Sequence, residues 1–426
     1  MIDINLIREN PEEVKAKLAK KLYDVDFTEF LEKDKERKSL RYENDSLKSE
    51  RNKTSALVPQ LKKEGKDATE IIENMKKLGD KIKENDDKIA EIEAELQYFL
   101  DCLPNLPADD LLPGGKENNK EIDRWGEKPV FDFEPKNHVD LAESLGLIDY
   151  KRGAKLGGNG FWVYRHDGAK LEWALLNYFI ETHIADGYEF VLLPHLLTRK
   201  CGYGAGQFPK FAEDVYHLDA DSENSTHFLL PTAETALVNM HSDEVLEEEE
   251  LPIKYAGYTP CYRKEAGSYR AEERGMIRGH QFNKVEMVQY TKPEDSPKAF
   301  EELVNKAAAL VRGLGLHYRI SKLAAADCSH AMARTCDIEV WIPSMNDYKE
   351  VSSVSNAHDY QARRNNTRYR NKETGKLEYV HTLNGSGLAT SRILPAILEQ
   401  YQQADGSVKV PEVLRKWVGK DYIGRD

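Results

Sequence analysis

Ten positions between residues 71 and 103 follow one another at alternating steps of four and three: Ile71, Met75, Leu78, Ile82, Asn85, Ile89, Ile92, Leu96, Phe99 and Leu103. Only Asn85 is polar. A seam of this length makes a helix that must bury one stripe against another helix. A weaker seam precedes it, through Leu40, Asn44, Leu47, Arg51, Thr54, Val58 and Leu61. Between them lies "KKEGKDAT", whose Gly65 and Asp67 suit a tight reversal. The pattern predicts an antiparallel helical hairpin, and 30-residue helices would reach roughly 45 Å. A homodimerising coiled coil is the alternative; the loop and the matched arm lengths favour folding back. The half-polar first seam implies an arm that projects without being rigidly locked.

The stretch from residue 27 to 99 is rich in Lys and Glu, with Pro59 its single proline and no Trp. "DCLPNLPADDLLPGGKENN" then changes the composition to Pro, Gly, Asn and Asp. This places an N-terminal helical domain at 1–105, a linker at 106–125 and a second domain at 126–426. In the second domain "LEWALLNYFIETHIADG" has helical spacing and stops at Gly187, a C-cap residue. "YEFVLLPHLL" follows as a strand broken by Pro194. Further short strands come without regular βαβ alternation, interrupted by a helix in "SPKAFEELVNKAAALVRGLG". That grammar predicts an α+β fold around an antiparallel sheet.

With 40% hydrophobic and 32% charged residues in 426, a sizeable core can coexist with a highly charged surface. The formal net charge of −13 argues against a wholly basic nucleic-acid coat but leaves room for a local basic surface. No 18-residue apolar run appears, "MIDINLIREN" lacks a signal-peptide layout, and five cysteines make no CxxC pair. A cytoplasmic protein with no membrane association is the simple expectation.

The chemistry concentrates in three segments. In "GMIRGHQFNKVEMV", strand alternation gives one face Arg278, His280, Phe282, Lys284 and Glu286. Phe282 could stack a flat base, and Glu286 would lie about 13 Å further along. Upstream, Arg263 and Arg274 could clamp phosphates with their guanidinium forks, and Glu265 shares a face with Arg263. A charged hairpin with surface salt bridges is the plainer reading of the same residues. In "CDIEVWIPSMNDYKEVSSVSN", Glu350, Ser352 and Ser353 offer oxygens suited to a magnesium ion shared with phosphates, or simply an exposed strand end. In "HTLNGSGLATSRILPAILEQYQ", Asn384 and Ser386 lead through glycines into a helix bearing Arg392. The small residues permit close backbone approach, though an ordinary strand-to-helix turn has the same look.

Together these segments resemble the three signature motifs of class II aminoacyl-tRNA synthetases, and more closely the seryl-tRNA synthetase family. "LLPTAETAL" resembles its serine-binding strand, "YRKEAGSYRAEERGMIRGHQFNKVEM" its motif 2 and "NGSGLATSR" its motif 3. "GAGQFPKF", "YKEVSSVSN" and "VPEVLRKWVG" extend the resemblance over nearly the whole chain. The resemblance implies ATP-dependent activation of L-serine to seryl-adenylate and transfer to tRNA(Ser), and to tRNA(Sec) where one is present. By the same resemblance, Arg263 holds the ATP α-phosphate, Glu265 the adenine amino group and Arg274 the γ-phosphate. Phe282 and Arg392 enclose the adenine, while Lys264, Val351 and Ser352 belong to the ATP site. Glu350 and Ser353 coordinate Mg²⁺. Thr232, Ala233, Glu234, Arg263 and Glu286 surround serine, Glu286 pairing with its ammonium, and Asn384 and Ser386 receive its hydroxyl end. The catalytic set is then Arg263, Glu286 and Arg392. The hairpin becomes a tRNA-binding arm, with Lys38, Arg41, Lys48 and Arg51 as contacts, and Pro194 falls in motif 1, at a homodimer interface.

Where the family commonly carries Phe and Tyr, "DCSHAMARTCDIEVW" has His330 and Cys336, and His330 is expected to be a packing or pocket-wall variant rather than a metal ligand. No Cys/Glu ligand set for zinc stands out. Two other readings compete: a relative that activates another small amino acid, and a non-catalytic RNA-binding paralogue. The tRNA-type arm counts against the first and the full set of ATP residues against the second.

Overall fold

The computed structural model describes residues 1–218, 226–265 and 275–425, with the side chain of Lys62 left out. Contacts divide the chain into two compact units. One holds Ile2–Ala16 and Asp24–Leu103; the other holds Met1, Lys17–Tyr23 and Pro104–Asp426.

In the first unit the heptad seam forms the hairpin it predicts. Helix α1 (Thr28–Lys63) and helix α2 (Thr69–Cys102) run antiparallel. At 1.5 Å per residue they are about 54 and 51 Å long. Each start is fixed in the same way, by an aspartate two residues upstream: Asp26 and Asp67 accept the amides of Thr28 and Thr69, both at 2.9 Å. Gly65 supplies the left-handed turn residue at φ 66°. Across the pair, Lys33 meets Glu95 at 2.7 Å, Arg37 meets Glu93 at 3.2 Å and Lys48 meets Asp86 at 3.4 Å. One index rises as the other falls, as antiparallel pairing requires. Phe27 meets both Phe30 and Phe99 edge to face, and Phe30 and Phe99 lie tilted against each other at 5.0 Å. Ile82, Asn85, Ile89, Ile92 and Leu96 are buried, whereas Ile71, Met75 and Leu78 nearer the turn are only partly covered. The half-polar partner seam cannot cover them fully.

In the second unit, eight strands among the described residues form one sheet: β1 (Lys120–Trp125), β2 (Glu189–Leu192), β3 (Ile253–Tyr262), β4 (Gln281–Thr291), β5 (Tyr318–Lys322), β6 (Arg334–Ile342), β7 (Asp347–His358) and β8 (His381–Ala389). Their order is β1-β5-β6-β7-β8-β4-β3-β2, antiparallel throughout except for the parallel β2–β3 edge pair. β1 lies inside the stretch read as linker, 106–125. Its sequence "KEIDRW" lacks apolar alternation because almost every side chain of this edge strand is exposed.

Three helices cover one face of the sheet: α3 (His166–Ala185), α4 (Ser296–Gly313) and α5 (Thr390–Gln400). Leu171, Leu175 and Phe179 of α3, Leu303 of α4 and Leu394 of α5 join Val285, Met287, Val354 and Leu383 of the strands in one core. As its spacing predicts, α3 ends at Gly187 (φ 85°), with the Tyr188 amide reaching back to the His183 carbonyl at 3.0 Å. Pro194 stands exposed between β2 and the next strand, beside Leu192, which is 77% exposed.

Asn85 is buried in the α1–α2 seam, and its Nδ2 has no hydrogen-bond partner. A buried unsatisfied donor costs about 1–3 kcal/mol. Asn85→Leu is expected to stabilise α2 by about 1 kcal/mol, read as slower amide exchange around residue 85 in the full chain. Unchanged or faster exchange would show that the amide is already satisfied.

Candidate active site

Strand register decides which side chains meet. β4 pairs with β8 so that Glu286 lies opposite Ser386, and β8 pairs with β7 so that Asn384 lies opposite Ser355. On β3, Gly257 is the partner of Glu286. A side chain at Gly257 would press on Leu193 and Leu237, so glycine lets those leucines pack close against the strand. These strands, the first turn of α5 and the segment around Thr232 enclose a cavity of about 600 Å³.

At one end the groups are buried and tightly paired. Glu286 is 1% exposed, with Lys284 Nζ 2.5 Å from one oxygen and Asn384 Nδ2 donating to the other at 3.1 Å. Lys284 also donates to Thr232 Oγ1 at 2.6 Å. Asn384 Nδ2 reaches Glu234 at 3.2 Å, and Gln361 donates to the second Glu234 oxygen at 2.9 Å. Burial works against the Lys284 ammonium, but Glu286 and the Cys261 thiol together raise its pKa overall. Burial, and then the Glu286 charge, push Glu234 up to about 7. Asn384 Oδ1 and Ser386 Oγ are buried without partners, two polar atoms left free beside this cluster.

At the other end the groups are cationic and aromatic. The Arg263 guanidinium lies 5.1 Å from the Phe282 ring centre, and its Nε donates to the Pro231 carbonyl at 3.2 Å. Glu265 sits at φ 49° and accepts Arg278 Nε at 2.7 Å. Arg392, two residues into α5, donates to the Ile277 carbonyl at 3.1 Å and to the Glu350 carbonyl at 2.8 Å. Ser353 donates to Asp337 Oδ1 at 2.7 Å. Burial, and next the Glu350 charge, hold Asp337 well above the ordinary carboxylate range. Among the described residues no three His, Cys, Asp or Glu side chains converge on a metal-sized site. A cation beside Glu350 and Ser353 would therefore draw further ligands from a substrate.

The cavity thus brings together Arg263, Glu265, Phe282, Glu286, Glu350, Val351, Ser353 and Arg392 with Thr232, Glu234, Asn384 and Ser386. Three other candidates do not line it. Ala233 is fully buried against Leu237, Lys264 offers its amide to the Asp214 carbonyl, and Ser352 turns its hydroxyl to the Ser386 carbonyl at 2.6 Å. Arg274 lies outside the described residues. His330 and Cys336 are buried off the cavity. His330 packs edge-on to Phe211, with burial and then Lys210 pushing it down to about 3; burial raises the Cys336 thiol to about 12.

On the arm, three of the four candidate contacts hold acids in this structure. Lys38 pairs with Asp34 at 2.9 Å, Lys48 with Asp86 at 3.4 Å and Arg41 with Glu93. Arg51 is half-buried. Lys284 and Gln361 are site residues that the motif reading passed over. Period two placed Lys284 on the right face, but nothing local marks its partner; Gln361 comes from a distant helix and left no signal.

Residues 1–107 match the family described as the seryl-tRNA synthetase N-terminal domain, and residues 216–401 match the tRNA synthetase class II core domain (G, H, P, S and T). The chain is 62% identical to serine–tRNA ligase 2 of Clostridium acetobutylicum over 425 residues, covering 99% of this chain and 100% of that one. It is 47% identical to the serine–tRNA ligase of Thermodesulfovibrio yellowstonii, again over 99% and 100%. Among solved structures it superposes on seryl-tRNA synthetase from Pyrococcus horikoshii complexed with ATP, with a TM-score of 0.92, 34% identity and 99% of each chain covered.

Glu234 carries a pH signature. Its pKa of about 7 in the fold exceeds that of an exposed glutamate, about 4.3. Between those values the unfolded chain has released the proton and the fold keeps it, so stability falls as pH rises from about 4.3 to 7. Glu234→Gln is expected to match the wild type near pH 4 and exceed it by on the order of 1–3 kcal/mol at pH 8, measured by denaturant unfolding. A difference independent of pH would place the cause elsewhere.

Proposed function

This chain belongs to the seryl-tRNA synthetase family, and from that premise we propose how its residues activate L-serine with ATP and pass the seryl group to tRNA. The observation that carries the residue assignment is the pair of unpartnered buried atoms, Asn384 Oδ1 and Ser386 Oγ, beside the Glu286–Lys284–Glu234 cluster. A small ligand with an ammonium at one end and a hydroxyl at the other satisfies both features. Glu286 and Glu234 take the ammonium; Asn384 and Ser386 take the hydroxyl. Alanine would leave those groups unpaired, which costs a site far more than a missing methylene does. Threonine is held off by its extra methyl group, a weaker filter.

Adenine lies between Phe282 and Arg392, with Glu265 accepting from its amino group once Arg278 yields. The phosphates run past Arg263, and Arg274 is assigned to the γ-phosphate on the motif alone. A serine carboxylate oxygen attacks the α-phosphorus in line, the α–β bond breaks, and pyrophosphate leaves with the electron pair. No protein nucleophile is needed: alignment and the fixed Arg263 charge lower the barrier. The Glu350 and Ser353 oxygens fit Mg²⁺, and Asp337 holds the Ser353 hydroxyl from behind at 2.7 Å. When bound, the ion would neutralise phosphate charge. The 3′-terminal hydroxyl of the tRNA then attacks the serine carbonyl, and AMP departs.

The α1–α2 hairpin serves as the tRNA arm, reading shape through its cations. The open β2 edge, with Leu192 and Pro194 exposed, supports a homodimer through that face. The five cysteines form no disulfide with one another, as a reducing cytosol would keep them.

Pyrophosphate exchange with serine, threonine, alanine, cysteine and glycine tests the substrate assignment, with strong exchange expected for serine alone. Glu286→Ala should abolish exchange while ATP still binds; normal exchange would remove Glu286 from the site. Deleting residues 30–98 should leave exchange nearly intact and a dimer in sedimentation, yet abolish tRNA charging. Equal loss of exchange and charging would contradict the division of labour between arm and catalytic unit.

A further inference from the structure

Glu172 lies in the middle of α3, among fully buried leucines, and is itself 3% exposed. A carboxyl group here breaks the apolar pattern of the helix. Its Oε1 accepts two hydrogen bonds from different elements: Asn283 Nδ2 of β4 at 2.7 Å and Thr390 Oγ1 of α5 at 2.6 Å. The Thr390 hydroxyl also lies 3.2 Å from the Asn283 carbonyl, and the Tyr258 hydroxyl donates to Asn283 Oδ1 at 3.2 Å, fixing the amide orientation. Asn283 adjoins Phe282 in the chain. Thr390 opens the helix on which Arg392 stands two residues later. The two groups assigned to opposite faces of the adenine are therefore each one or two residues from a partner of the same oxygen atom.

We propose that Glu172 is a positioning residue for nucleotide binding, a single buried carboxyl oxygen that sets the separation between Phe282 and Arg392 by tying β4 to the start of α5. The inference rests on the reading of Phe282 and Arg392 as the adenine site. Helix α3 is well suited to the task, because Leu171, Ala174 and Leu175 anchor it in the core on either side of Glu172. Burial pushes Glu172 up to about 7 against the opposing pull of Thr390 and Asn283, so near neutral pH the group is often uncharged. A neutral amide of the same shape should therefore replace it, whereas an alanine should not.

The test is pyrophosphate-exchange kinetics on the full chain with ATP and serine varied separately. E172A is expected to raise the KM for ATP about tenfold, equivalent to about 1.4 kcal/mol, and to leave the KM for serine within about twofold. E172Q keeps the accepting oxygen and should stay within about twofold of the wild type for both substrates. T390V removes one hydrogen bond at nearly constant volume. It should raise the KM for ATP alone, and add little in the E172A background because both changes break the same contact. If E172A fails to fold, T390V carries the test. An unchanged KM for ATP in these variants overturns the proposal, as does an equal rise for serine or an E172Q as damaged as E172A. F282A separates this from the reading beneath it. If F282A leaves the KM for ATP unchanged, the adenine assignment itself fails; if F282A raises it while E172A and T390V do not, only the role of Glu172 falls.

Discussion

Antiparallel register is the constraint from which the site follows. Side chains two apart on a strand share a face and stand about 6.6 Å from one another. Phe282, Lys284 and Glu286 therefore form a ruler of fixed divisions along β4. Pairing with β8 sets Ser386 against the last of them, and the bulge between Ser386 and Ala389 brings the chain round to α5 and Arg392. A slip of one residue would turn this set towards α3 and α4 and send Val285 and Met287 into the cavity. The core on the far side, built from those same apolar residues, guards the register on which the proposed site depends.

Such a face is costly to hold without ligand. Lys284, Glu286 and Glu234 are charged or titratable groups removed from water, and pairing only partly offsets that desolvation. Internal partners offset it: Lys284 sits against Glu286, Arg278 against Glu265, and Arg392 against two backbone carbonyls. Each provisional contact keeps a charge satisfied and its side chain close to the cavity. In the proposed function, substrate would exchange one set of partners for another along a face whose side chains are already held in order.

How much of this could be read beforehand depends on the range of the interaction that decides each feature. The α1–α2 seam, the Gly65 reversal and the Gly187 cap are local, and local spacing reveals them. The β4 face is legible because alternation is also local. β1 is not: an exposed edge strand has no apolar pattern, and only its pairing with β5 makes it a strand. Ala233, Lys264 and Ser352 sit within the motifs, yet pleat and turn geometry direct them away from the cavity. Gln361 and Glu172 lie far from the motifs in sequence, and only the fold brings them to Glu234 and Thr390. The resemblance to the seryl-tRNA synthetase family supplied roles that no spacing rule contains.

The pairing of Lys38, Arg41 and Lys48 with acids gives the arm an electrical character that a count of its cations would miss. Paired opposite charges a few ångströms apart form dipoles, and a dipole field decays with distance much faster than that of a bare charge. Beyond about one Debye length, roughly 8 Å at physiological salt, little of it survives. If the arm binds tRNA as proposed, it would offer polyanions weak long-distance attraction and discriminate at contact, where a phosphate reaching Lys38, Arg41 or Lys48 must displace a carboxylate. Random RNA would have little reason to linger on such a surface, while a nucleic acid whose shape brings several phosphates to the right places at once could overcome all the internal pairs together.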